Sequence, residues 1–117
     1  MATIRSFTSL EQSRKLAEFL PIESADMWYE DGGVMIPRLG RMPKEHTNTE
    51  VPCWSLTALF RLLPHSAQLE RGNATELCRV ILPIEFIDSD WCINPIDACY
   101  EVVLKLYEEG YYGDQKT

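Results

Sequence analysis

The segment from Asn94 to Gly110 constrains the fold most, because it holds a helix start, a helix stop and a core-facing stripe in one stretch. Asn94 suits an N-cap, with a side-chain oxygen able to accept a first-turn N–H that lacks an intrahelical partner. Pro95 falls at the first helical position, where its missing N–H loses nothing. Asp97 and Glu101 put negative charge toward the positive end of the helix dipole. Gly110 supplies the left-handed residue that closes a last turn. Ile96, Cys99, Tyr100, Val103, Leu106 and Tyr107 recur at the spacing of one buried face, and Ala98, Val102 and Leu104 widen it. Asp97, Glu101, Lys105 and Glu108 are left facing water. A stripe this wide calls for cover on more than one side, from a sheet plus a second helix or a second subunit. Val102 and Leu104 on its flank are therefore candidate partner contacts.

Two further helices are expected. Ser9 and Gln12 have capping-box spacing before residues 10–20, where Leu10, Leu16, Ala17 and Leu20 form the apolar side and Pro21 stops the run. Glu11 and Lys15 are a favourable i, i+4 pair on the wet side. Residues 54–63 carry Leu56, Leu59, Phe60 and Leu63 on one face, with Thr57 and Arg61 as the main polar positions, and Pro64 ends the segment.

Strand signals lie between the helices. Met27-Trp28-Tyr29 and Val34-Met35-Ile36 flank Asp31-Gly32-Gly33, and Asp-Gly tolerates the positive φ of hairpin turns. Residues 67–71 are a weaker strand with a turn at Gly72-Asn73. Residues 77–82 and 84–87 are stronger, the second alternating apolar and polar, with Pro83 marking a bend, bulge or edge. Residues 37–50 are rich in proline, polar groups and charge, and read as a long loop. Residues near 113–117 read as a flexible tail.

Pro52-Cys53-Trp54-Ser55-Leu56, the Leu62-Leu63-Pro64 ending and Asn94-Pro95-Ile96-Asp97-Ala98-Cys99-Tyr100-Glu101 resemble a family of short uncharacterised proteins from prophages and mobile elements of gut-dwelling anaerobic bacteria. The resemblance covers roughly the second half of the chain plus the first helix. Its motifs are apolar helix signatures, so it implies a phage-related, cytosolic setting and carries over no catalytic residue.

Length and composition narrow the partners. At 117 residues the chain fits one domain, large enough to bury roughly two thirds of its unfolded surface without staples. A formal charge of −7 argues against general nucleic-acid binding, which needs cations to displace phosphate counterions, and against an anionic membrane. The first eight residues lack the apolar run of a secretory signal, and residues 51–60, the longest uncharged stretch near the middle, are too short to span a bilayer. A cytoplasmic protein is expected. Cys53, Cys78, Cys92 and Cys99 are then expected free and mostly buried, and the Asn73-Ala74-Thr75 sequon unused.

The chain carries no residue pattern of a recognisable chemistry. There is no Cys-x-x-Cys or His-x-x-His pair, and His46 and His65 both fall in expected loops, so no zinc site is expected. Asp88-Ser89-Asp90, with Glu85 nearby, lacks the Asp/Asn-Gly and distal Glu of a calcium loop. Gly32-Gly33 lacks the Lys-Ser/Thr of a phosphate loop. Neither histidine has motif context and Pro52-Cys53-Trp54 reads as the entry to a buried helix, so no cysteine nucleophile is expected. No cofactor and no catalytic residue follow from these patterns, and an enzyme is not expected.

Binding residues are the remaining candidates. Arg38, Arg41 and Lys44 make one loop locally basic in an acidic chain, and Trp28 with Tyr29 offers an aromatic patch. The expected architecture is α+β: about three helices packed on a small, mainly antiparallel sheet. The expected role is a non-enzymatic accessory protein working by contact with protein, self or other. The alternatives are an acidic nucleic-acid mimic that occupies a DNA-binding protein, and a small enzyme with an unrecognised site.

Overall fold

The structure, a computed structural model, describes residues 6–30, 37–40, 50–72 and 76–112. The chain starts as its spacing demands. Ser9 and Gln12 form the reciprocal capping box, the Gln12 N–H donating to Ser9 Oγ at 3.1 Å and the Ser9 N–H to Gln12 Oε1 at 3.0 Å. They open α1, Leu10–Leu16. The helix stops short of residue 20, and irregular turns carry Phe19 and Leu20 into the core before a 3-10 turn at Ile22–Ser24.

The first sheet holds β1 (Met27–Tyr29), β2 (Arg38–Leu39) and β3 (Val51–Cys53), antiparallel in the order β2-β1-β3. The expected hairpin strand at Val34–Met35–Ile36 lies outside the described residues. β1 instead pairs with Arg38 and Leu39, which the sequence suggested were loop. The remainder of that loop, residues 41–49 with Arg41, Lys44 and His46, lies outside the described residues, as do the Asn73-Ala74-Thr75 sequon and the tail at 113–117. Residues 51–53, just ahead of the helix expected over 54–63, form a strand, and Trp54 is fully buried at the bend that follows. The helix itself is shorter than expected at both ends, with α2 confined to Leu56–Arg61.

β4 (Gln68–Arg71), β5 (Cys78–Leu82) and β6 (Ile87–Asp88) form a second antiparallel sheet in the order β4-β5-β6. The protein is α+β, with its strands divided between two three-stranded antiparallel sheets among the described residues. Residues 84–86, expected as strand, form a turn instead, because the β5–β6 ladder closes at Leu82 opposite Ile87. Cys78, Val80 and Leu82 point alternately to the core, and Arg79 and Ile81 to the outer face.

The last helix, α3, spans Pro95–Glu108. Asn94 makes no capping bond with its side chain; its carbonyl accepts the Asp97 N–H at 3.0 Å. Gly110 closes the helix at φ 79, with its own N–H on the Tyr107 carbonyl at 3.0 Å and the Tyr111 N–H on Leu106 at 2.9 Å. That double bond pattern satisfies two orphan carbonyls at the cost of a left-handed residue, which glycine takes without strain. Ile96, Ala98, Cys99, Val102, Val103 and Leu106 are all buried in a core shared with Leu59 of α2, Val80 and Leu82 of β5, and Trp54. The width of the stripe is therefore met within one chain by a sheet and a second helix. Val102 is wholly enclosed and Leu104 packs half-buried against the same core, so Val102 offers no partner surface.

The expected wet face of α3 is also engaged. Asp97 accepts from Gln12 Nε2 at 2.8 Å, Glu101 accepts the Asp90 N–H at 2.9 Å, and Lys105 donates to the Asp88 carbonyl at 2.7 Å. Tyr107, expected in the core, is partly exposed and stacks on Phe19 at 4.0 Å.

α1, β1 and the bend before α2 meet at Thr8, which is fully buried. Its hydroxyl lies 2.7 Å from Ser13 Oγ and accepts the Trp54 N–H at 3.1 Å. Its own N–H donates to the Trp54 carbonyl at 2.9 Å, and its carbonyl accepts from Tyr29 Oη at 2.7 Å. Thr8→Val keeps the shape but leaves the Trp54 N–H and Ser13 hydroxyl short of a partner. It should cost about 2 to 3 kcal/mol in chemical denaturation, against about 1 kcal/mol for Thr8→Ser, which keeps the hydroxyl and loses a methyl group. Equal losses for the two variants would contradict this account.

Candidate functional site

The turn between β5 and β6 is the most unusual surface feature of the described residues. Leu82 and Ile87, both buried, pin its base to the core. Four residues bridge them. Pro83 presets its own φ at the first loop position, which favours an abrupt reversal. Phe86 ends the loop at φ 59. This is the left-handed region, disfavoured for any side chain with a Cβ by roughly 1–2 kcal/mol. The side chain gains nothing in return from the fold, being 92% exposed, and Ile84 beside it is 71% exposed. Glu85 lies between the two apolar residues and accepts from Ser66 Oγ at 3.4 Å.

The sheet behind the turn is firmly built. Val80 donates to Ser89 Oγ at 2.9 Å in place of a strand carbonyl, while Ser89 N–H returns a bond to the Val80 carbonyl at 2.9 Å. Cys78 and Cys92 then exchange backbone bonds of 2.8 and 2.7 Å. Three steps from Ser89 to Cys92 thus oppose two from Val80 to Cys78, a bulge. Trp91 at the bulge lies 4.7 Å from the Arg79 guanidinium, which also pairs with Glu70 at 3.0 Å. This outer face is therefore occupied by its own charged and aromatic ladder.

Two concavities flank α2. The first, about 390 Å³, is an apolar groove formed by Leu56 and Phe60, one helical turn apart, with Leu69 of β4 and a rim of Thr57 and Arg61. Leu69 is 44% exposed there. The second, about 430 Å³, has a mixed lining in which Glu23, Asp26 and Arg61 stand beside Ala58 and Leu62. Asp26 in it is committed to structure: it accepts the Ser55 N–H at 2.9 Å and the Ser55 hydroxyl at 2.5 Å, while Ser55 Oγ caps α2 through the Ala58 N–H at 3.1 Å. Ser24 accepts from Trp54 Nε1 at 2.9 Å and donates to the Pro21 carbonyl at 2.6 Å. Arg61 borders both concavities and is exposed, and its side chain has no ion pair or hydrogen bond among the described residues.

Family models, curated proteins and solved structures were all searched, and none matches this chain. Any site must therefore be argued from the residues themselves.

Of the contact residues expected from sequence, Trp28 and Arg38 are brought together. They are register partners across β1 and β2, with the guanidinium 5.9 Å from the indole and an ion pair to Glu30. Tyr29 is separated from them, buried on the opposite face with its hydroxyl on Thr8. From sequence Ile84 and Phe86 read as strand residues and Leu56 and Phe60 as a helix's core face, so the exposed turn and the groove are not legible there. The usable signal was Pro83, whose position just after a β-run is compatible with a turn as much as a bend.

The thiols are not activated. Burial raises Cys53, partly offset by hydrogen bonds from Thr8, Ser13 and Tyr29. Burial raises Cys78, and in Cys92 burial is reinforced by Glu101 and Asp97. A raised thiol holds less thiolate and is a poorer nucleophile. Among the described residues no three His, Cys, Asp or Glu side chains converge to hold a metal ion.

Burial pushes the Cys99 thiol up to about 12 from an ordinary 9.0, with Cys78 adding to the shift. Between those values the unfolded chain has released its proton and the folded chain has kept it. This stability contribution is thus complete below pH 9.0 and is lost as pH rises toward about 12. The denaturation midpoint should hold steady through neutrality and fall in alkali, and Cys99→Ala should flatten that fall. A wild-type midpoint unchanged through that alkaline window would contradict the assignment.

Proposed function

We propose that this chain is a small non-enzymatic accessory protein that acts by protein–protein contact, and that the β5–β6 turn is its contact. The observation that carries the reading is Phe86, held at φ 59 with 92% of its surface in solvent. Asparagine or glycine would make the same turn with less strain. A phenylalanine that strains the backbone and packs against nothing is accounted for by a use outside its own fold. Ile84 doubles the apolar area, and Glu85 between them adds direction to the contact. The surface that fits is a protein slot with apolar walls and a cation at its rim.

The alternatives have less support. An acidic mimic needs a continuous exposed carboxylate track, yet Glu18, Glu30, Glu70 and Glu101 each pair with a lysine or arginine, and Asp26 and Asp97 hold hydrogen bonds within the fold. An enzyme is disfavoured by thiols raised away from reactivity and by Asp26 being committed to Ser55. The cytoplasmic, phage-related setting implied by the sequence resemblance is part of this proposal. Among the described residues no helix is long and apolar enough to cross a membrane.

Phe86→Asn separates a structural role from a functional one. It should leave stability unchanged or raise it by about 0.5 to 1 kcal/mol, since asparagine tolerates the left-handed region. The same variant should lose the stoichiometric protein retained by immobilised wild-type chain from native host lysate at moderate salt. A loss of more than about 1 kcal/mol would make the side chain structural, and equal retention by both proteins would overturn the contact.

A further inference from the structure

We infer that the occupant of the Leu56–Phe60–Leu69 groove is the β5–β6 turn of a second copy of this chain, so that two copies associate about a two-fold axis with each turn in the other's groove. The inference rests on the contact reading above and names its partner.

Three observations point the same way. The turn and the groove are complementary in kind: Ile84 and Phe86 flank Glu85, whereas Leu56, Phe60 and Leu69 lie beside Arg61. Arg61 has no partner of its own among the described residues, so a carboxylate delivered between two apolar side chains would give it one. The groove, at about 390 Å³, has room for an aromatic ring with a neighbouring aliphatic side chain, and its walls are apolar.

The third observation is placement. Ser66 joins α2 to β4 and bonds to Glu85, while Leu69 lies at the start of β4. Turn and groove therefore lie at the same end of the β4-β5-β6 sheet. The turn does not fill the groove of its own chain, because Ile84 and Phe86 stay exposed. A protrusion and a recess side by side on one surface are what a two-fold needs, since one rotation makes both contacts at once and closes the assembly. Each turn delivers only Ile84, Glu85 and Phe86 to the contact, so the dimer is weak and reversible.

Sedimentation velocity on the full chain, from about 1 μM to about 1 mM at moderate salt, reads the association directly. The expected result is a monomer–dimer equilibrium in that range, with Phe86→Asn monomeric throughout. Arg61→Glu and Glu85→Arg should each weaken dimerisation about tenfold or more, and the two together in one chain should restore it, because the swapped charges meet again across the interface. A wild-type chain monomeric at every concentration would overturn the inference. So would a dimer indifferent to all these changes, or growth into longer polymers. Failure of the contact reading is seen separately, as retention of lysate protein by Phe86→Asn. A monomeric wild type whose retained partner is lost in that variant would leave the contact standing with a different occupant.

Discussion

One buried hydroxyl, Thr8 Oγ1, joins parts of the chain that are far apart in sequence. It meets Ser13 in the first turns of α1 and receives the N–H of Trp54 at the bend between β3 and α2. The Thr8 backbone continues the join, with its N–H on Trp54 and its carbonyl receiving Tyr29 of β1. Low local dielectric strengthens such bonds and makes a missing partner costly. The position of α2, and hence of the groove beside it, follows from this junction, because Trp54 and Ser55 fix where the helix starts. Asp26 completes the anchor by holding both the Ser55 N–H and its hydroxyl.

From that anchor the core spreads through α3. Its buried face reaches β5 on one side and α2 on the other, and its polar face bonds to β6 and to α1. Leu82 and Ile87 transmit this rigidity to the base of the β5–β6 turn. A left-handed phenylalanine persists only where the surrounding structure over-determines the backbone, and here a closed ladder and a buried pair do so. The stable interior and the strained, exposed turn belong to one arrangement.

The helices were legible because their signals are local. Ser9 with Gln12, and Gly110 after an apolar stripe, act through backbone groups within one turn, and tertiary packing did not override them. The wide stripe of α3 signals cover on two sides, but only packing decides that α2 and β5 supply it and that Val102 is enclosed. The strands were harder. Val51–Cys53 is short and contains Pro52, which favours a helix-start reading, yet antiparallel pairing with β1 makes it strand. Ile84-Glu85-Phe86-Ile87 has the alternation of a strand, and phenylalanine is a residue rarely found at positive φ. The local rule fails where the turn carries exposed apolar side chains, and such failures are expected at functional surfaces.

The most direct test of that surface is to place a photo-cross-linking phenylalanine analogue at position 86 of the full chain, irradiate it, and map the product by mass spectrometry. The account predicts an inter-chain cross-link into the peptide that holds Leu56, Phe60 and Leu69. An adduct confined to solvent, or to residues of the same chain, would contradict it.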